Sequence, residues 1–330
     1  MPRPLQGHRP PGIVPGHHRP EHPEVHPATV ALIQRSSAPP ILAGMKINGF
    51  DYHRIPGADD VELNVAVGGS GSPIVLLHGF PQTHLMWRHV ATDLAADHTV
   101  ICPDLRGYGA SDKPADDYAK RAMAADIVAV ARNLGHGKFA LAGHDRGALV
   151  AFRAGLDHPD TITHLMCLDV LPTLDMWDVM RGTSAAVGFH LYLMAQPPGL
   201  PEDLIAARPD AFFGHFLDLW ANDPTAIPAD VRATYLEACR AAVPSIVADY
   251  RASATIDVTH DQEDLAQGNK LRMPVAVIQQ DWGAALGFDA AALWQAWAPD
   301  LHHQTTTAGH FMAEESPAEI TTAIRALLKR

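Results

Sequence analysis

The sequence predicts an α/β fold: a mostly parallel central sheet with helices on both faces and a helical cap inserted over one end. Three observations carry this. Short apolar runs alternate with helical stretches along most of the chain, and strands alternating with helices build parallel βαβ units. One long gap, from about Pro172 to Gly268, loses the strand rhythm and is rich in aromatic and helix-forming residues. A short apolar strand also runs into Gly143-His144-Asp145-Arg146-Gly147 and then a helical segment.

Taken in order, residues 1–44 are dense in Pro and His and show no period of 2 or 3.6. Such segments bury too little apolar surface to offset their ordering entropy. A disordered extension is expected there, with Met45 as an alternative start. MKINGFDYHRI and VELNVAV, separated by PGADD, read as a strand pair with a turn. PIVLL (73–77), TVIC (99–102), FALA (139–142) and HLMCL (164–168) are the next strands, and Tyr118–Leu134 is a helix between them. VAVIQQ (275–280) and QTTT (304–307) read as the last two strands. Ser316–Leu328 reads as a closing helix, with Ser316 as cap and Pro317 at its first position. The expected organisation is a core in two parts, 45–171 and 269–330, around a helical cap at 172–268.

At 330 residues, 47% hydrophobic and 19% charged, the chain can bury a sizeable core, and collagen, coiled coil and wholesale disorder are excluded. A formal net charge of −12 argues against nucleic acid and offers no basic face to anionic lipid. Cys102, Cys167 and Cys239 lie far apart, with no C-x-x-C pair and no zinc spacing. A reduced, cytoplasmic protein without a metal site or an organic cofactor is expected. No apolar run approaches the roughly 18 residues of a spanning helix, and the start lacks the apolar stretch of a signal peptide.

The strand–Gly-x-Asp-x-Gly–helix pattern is that of a nucleophile elbow, with the reactive side chain on a tight turn between flanking glycines. Asp145 occupies the nucleophile slot that serine often fills. A carboxylate there attacks an sp³ carbon bearing a leaving group and forms an alkyl ester, which water then cleaves at the Asp145 carbonyl. The plainer reading is a Gly-rich turn whose Asp caps a helix. Upstream, PIVLL ends in His78-Gly79-Phe80-Pro81, the kind of loop that supplies an oxyanion donor. The N–H groups of Phe80 and Arg146 are the expected donors. Downstream, His310 in TAGHF follows the last strand and is the expected base. Asp169 after HLMCL and Asp281 after VAVIQQ compete as its orienting acid. The usual slot after the later strand falls on Gly283, so Asp169 is favoured.

From about Met45 onward the chain resembles the fluoroacetate and haloacetate dehalogenases, relatives of the epoxide hydrolases within the α/β-hydrolase superfamily. The resemblance rests on HGFPQTHLMW (78–87), PDLRGYGASDKP (103–114), KRAMA (120–124), the elbow, LDVLPT (168–173), DYRA (249–252) and GHF (309–311). It implies an acid on the strand before the cap, which is Asp169. It also implies two arginines on the substrate carboxylate, and only Arg146 matches, because Leu149 stands at the second position. Its halide pocket implies a His-Trp pair and a cap Tyr. His190 and Tyr250 match, while Leu191 replaces the Trp. Trp220 is a further candidate pocket residue, and Asp104–Tyr108 reads as a structural turn.

The expected function is therefore a hydrolase with an aspartate nucleophile, of haloacetate dehalogenase type with an altered pocket, acting on a small molecule larger or less anionic than fluoroacetate. Epoxide hydrolysis is the alternative and needs two cap tyrosines. Tyr250 supplies one, Phe189 aligns with the other, and Tyr192 is offset. A non-catalytic binding protein is disfavoured, since a binder need not keep nucleophile, base, acid and oxyanion loop together. A homodimer is compatible with the scaffold, with no interface singled out.

Overall fold

The computed structural model describes residues 45–330. The expectation for residues 1–44 lies outside them. The strands are β1 (Asp51–Pro56), β2 (Glu62–Gly69), β3 (Ser72–Leu77), β4 (His98–Pro103), β5 (Phe139–His144), β6 (Ile162–Leu168), β7 (Val275–Gln280) and β8 (Leu301–Thr306). They form one sheet in the order β1-β2-β4-β3-β5-β6-β7-β8. β1 and β2 pair antiparallel, β2 meets β4 antiparallel, and every later pairing is parallel.

Helices α1 (Arg88–Leu94), α2 (Lys120–Asn133) and α3 (Arg146–Asp157) connect the first strands. Between β6 and β7 lie α4 (Thr173–Val179), α5 (Phe189–Met194), α6 (Leu200–Ala207), α7 (Pro209–Leu219), α8 (Ala229–Arg240), α9 (Val243–Ser253) and α10 (Ile256–Gln267). The chain closes with α11 (Trp282–Leu286), α12 (Ala290–Gln295), α13 (Met312–Glu315) and α14 (Pro317–Leu327). Among the described residues, no helix is long and apolar enough to cross a membrane.

The central strands are buried on both faces, so they read as continuous apolar runs rather than alternations. The period of 2 still sorts their side chains. Val75, Leu77, Leu141 and Val277 join the core under α2 and α3. Ile74, Leu76, Ala142 and Ile278 join the opposite core with Val90 and Leu94 of α1 and Ile320 and Ile324 of α14.

Three local expectations are corrected. The first strand begins at Asp51, because the chain turns through Gly49 at φ +78. The last strand begins at Leu301, three residues before the expected start. The Ser316 side chain makes no capping bond to α14, although Pro317 does open it.

Buried carboxylates pin the β6–β7 insertion to the rest. Arg153 of α3 is paired with Asp261 and Asp264 of α10. Glu314 accepts from Gln82 Nε2 at 2.7 Å, from Arg88 and from Tyr235 of α8. Burial pushes the Glu314 carboxyl from 4.5 up to about 7, against the pull of Arg88 and Tyr235. A raised carboxyl pKa means the folded state holds a proton that the unfolded chain has released. The Glu314 contribution to stability is therefore largest below pH 4.5 and shrinks as pH rises through about 7. In Glu314→Gln, melting temperature measured across that window loses this part of its downward slope.

Candidate active site

The elbow is built by exclusion of side-chain volume. Asp145 sits at φ +47, ψ −115, between the end of β5 and the start of α3. That conformation is sparsely populated for a non-glycine residue and persists only when its surroundings hold it. A Cβ on Gly143 would come within 2.3 Å of the Gly147 carbonyl oxygen, and one on Gly147 within 2.4 Å of the His78 carbonyl oxygen. The helix and the two strand ends touch backbone to backbone, so only glycine fits at both places.

Asp145 is thereby presented to the loop after β3. The Phe80 N–H donates to Asp145 Oδ1 at 2.7 Å. The Arg146 N–H lies in the first turn of α3, where amides have no acceptor within the helix and the dipole favours negative charge. On the other side, His310 Nε2 lies 4.0 Å from Asp145 Oδ2.

His310 is held at three points. Its Nδ1 lies 2.6 Å from Asp169 Oδ2, its backbone N–H donates to the Trp220 carbonyl at 2.8 Å, and its own carbonyl lies 2.8 Å from His144 Nε2. Burial alone would lower the His310 pKa, but the hydrogen bond and charge of Asp169 override it and the net shift is upward. Asp169 also accepts from Gln280 N at 2.9 Å, Gln280 Nε2 at 2.8 Å and Trp282 Nε1 at 2.8 Å. Burial would raise its pKa, but the hydrogen bond and charge of His310, with the Gln280 and Trp282 donors behind them, hold it below the ordinary value. Asp281, the competing acid, instead accepts from the Ala284 N–H as the N-cap of α11.

The cavity over these groups has a volume of about 880 Å³ including its open mouth. It is lined by Asp145, Arg146, Asp169, His190, Trp220, Tyr250 and His310, among others. Phe80 stacks on His190 at 6.1 Å and meets Tyr250 edge-on at 5.3 Å. His190 Nδ1, the Tyr250 hydroxyl and His310 Nε2 are all buried with no hydrogen-bond partner among the described residues. Leaving such a group unsatisfied costs about 1–3 kcal/mol, and all three residues line the same cavity. Burial lowers the His190 pKa to about 3, so its ring is neutral at physiological pH.

Asp145, His310, Asp169, Arg146, His190, Tyr250 and Trp220 thus all lie at this cavity, and the Phe80 amide borders Asp145; the alternatives Asp281, Tyr192 and Phe189 do not line it. The setting of Arg146 differs from expectation. Its Nε donates to Asp249 Oδ2 at 2.8 Å, and its Nη2 donates to Asp249 Oδ1 at 3.0 Å and to Ser253 Oγ at 2.6 Å. Only Nη1 has no partner among the described residues, so the guanidinium is not a free two-pronged clamp. Asp249 also pairs with Lys120 and accepts from the Tyr108 hydroxyl at 2.6 Å. Tyr108 therefore belongs to the layer beneath the site and does more than close a turn. Burial would raise the Asp249 pKa, but its two cations hold it far below the carboxylate range.

Sequence reasoning missed Asp249 and Lys120, although DYRA and KRAMA contain them. It also missed Ser253, Trp282 and Phe288, which line the cavity but stand in no recognisable motif. Tyr192 is turned away, its hydroxyl donating to the Met180 carbonyl at 2.5 Å, and Phe189 is exposed on the surface.

Trp282 has a testable part. Trp282→Phe removes one donor from Asp169 while keeping an aromatic wall. It should lower kcat by on the order of tenfold with KM little changed, the worth of one hydrogen bond to a charged group. Steady-state kinetics on a turned-over substrate would check this.

Residues 72–317 match the family model of the alpha/beta hydrolase fold. The chain is 36% identical over 289 residues to a fluoroacetate dehalogenase of a Burkholderia species, covering 85% of this chain and 94% of that one. It is 32% identical over 285 residues to a soluble epoxide hydrolase of a Corynebacterium species, covering 82% and 91%. Among solved structures, a Pseudomonas aeruginosa protein provisionally assigned as an epoxide hydrolase superposes with a TM-score of 0.82 at 37% identity, over 86% of this chain and 96% of that one. The elbow and its sheet, matched along most of the chain to hydrolases of one kind, place this protein in the α/β-hydrolase family, as a hydrolase close to fluoroacetate dehalogenase and the epoxide hydrolases.

Proposed function

We propose that the protein hydrolyses a carbon–halogen bond of a small organic molecule through an ester on Asp145, with a site of haloacetate type and an altered pocket. One observation carries this: Asp145 has Oδ1 on the Phe80 amide and Oδ2 toward a His310 that Asp169 holds. In the first step Oδ2 attacks the halogen-bearing carbon, and the halide leaves with the bonding electron pair. Oδ1 then becomes the ester carbonyl oxygen, already on the Phe80 N–H. The unpartnered His190 Nδ1 and Tyr250 hydroxyl suit the departing halide, His190 as its Nδ1–H tautomer. In the second step His310 Nε2 takes a proton from water, and the resulting hydroxide adds to the Asp145 carbonyl carbon. Phe80 and Arg146 amides stabilise the oxyanion, and collapse releases the alcohol and the carboxylate. The β6–β7 insertion acts as a cap, supplying His190, Trp220 and Tyr250.

Epoxide opening uses the same first step but needs acids for the ring oxygen. Tyr250 is available, while the hydroxyl of Tyr192 is bound to Met180, which favours the halide. The test is a single turnover in ¹⁸O-labelled water. Label should enter the Asp145 peptide and be absent from the product alcohol. Label in the alcohol instead would mean direct attack by water and would overturn the ester.

A further inference from the structure

Beyond the reaction class, the charges and wall of the cavity point to a kind of substrate. Arg146 and Lys120 are the cations beneath it, and both are matched. Arg146 is paired with Asp249, while Lys120 is paired with Asp249 and lies 3.9 Å from Asp257. Two carboxylates thus balance two cations before any substrate arrives. Among the described residues lining the cavity no second Arg or Lys faces Asp145, because Leu149 stands one helical turn beyond Arg146 on α3. An anionic substrate would meet that carboxylate with only Arg146 Nη1 left to hold it. A single prong cannot replace bidentate recognition.

The remaining wall is mostly apolar, with Thr173 and Gln279 among its polar members. Leu149, Met176, Met180, Leu191, Trp177 and Phe288 line it. A haloacetate carries no alkyl group to lay against those side chains. We propose that the site takes an uncharged organic halide that bears an apolar group of several carbons, in preference to a haloacetate. This rests on the ester on Asp145. The step is the same: the carbon–halogen bond breaks, halide departs with the electron pair, and the carbon bonds to Asp145 Oδ2. The Met and Leu side chains then bury the apolar group, at roughly 0.8 kcal/mol per methylene.

The experiment uses the full chain carrying His310→Gln, so that the adduct persists, with three probes sharing one CH₂Br carbon. These are bromoacetate, bromoacetamide and N-hexylbromoacetamide. The alkylation rate on the Asp145 peptide is read by mass spectrometry and normalised to each probe's rate with a small free thiol. Expected is N-hexylbromoacetamide over bromoacetamide over bromoacetate, each step about tenfold. Bromoacetate alkylating as fast as the hexyl amide would overturn the inference and leave the ester reading intact. No adduct with any probe would overturn both. Leu149→Arg should move the preference toward bromoacetate by about tenfold, the worth of one charge-assisted contact. An unchanged ratio in a folded Leu149→Arg protein would count against the charge argument.

Discussion

Asp145→Ala should reduce halide release by on the order of 10⁴-fold or more, the scale on which enzymes lose turnover without their nucleophile. Its carboxylate oxygens sit between the Phe80 amide and His310, and the oxygens of Asp169, the other carboxylate lining the cavity, are held by Gln280, Trp282 and His310. Direct attack of water on the sp³ carbon would gain little from His310, which is aimed at the ester carbonyl position. The substitution also places alanine at φ +47, where Asp and Asn are better tolerated than other L-residues. Activity should therefore be read beside a melting curve. A folded Asp145→Ala protein keeping a tenth of its activity would refute the assignment.

His310→Gln should separate the two half-reactions. Alkylation needs Asp145, the leaving-group donors and an open path, and His310 takes no proton in that step. Its loss should leave the first step within a few-fold of wild type while the second falls by on the order of 10³-fold or more. Intact mass should then show one alkyl group per chain, on the Asp145 peptide, released over hours. The wild-type enzyme should show the same division with pH. His310 acts as a base only when neutral, and Asp169 raises its pKa above 6.5. Ester hydrolysis should thus be flat at higher pH and fall as pH drops through that raised value, while alkylation does not follow it. Rapid-quench measurement of both steps would reveal a shared pH dependence if His310 acted earlier than the geometry implies.

Much of the fold was legible because its signals are local. Central strands such as PIVLL and VAVIQQ are short apolar runs bounded by turn residues, and β7 falls on the six residues expected. The edges were less so. β8 is only half buried, with pattern ieiiei, so its first residues, Leu301 to His303, carry no apolar run to announce them. At the site, Asp145, Asp169 and His310 could be placed from the order in which they follow their strands. The competing Asp281 was set aside because it stands too soon after β7 for the usual acid slot, which falls on Gly283; in the structure it caps α11.

Sequence by itself determined which chemistry the elbow can host: an aspartate between glycines, a His-Gly loop before it and a histidine after the last strand. These are residue types at fixed offsets from strand ends, and strand ends are set by local apolar patterning. Only the tertiary structure decided the state of Arg146. Its partners Asp249 and Ser253 lie more than a hundred residues away on α9, and DYRA carries no sign that its aspartate faces an arginine of α3. The same holds for Trp282, whose indole reaches Asp169 across β6 and β7. Whether a buried charge is free or balanced depends on which elements pack together, because a Coulomb interaction is set by distance in space, and separation along the chain does not report it.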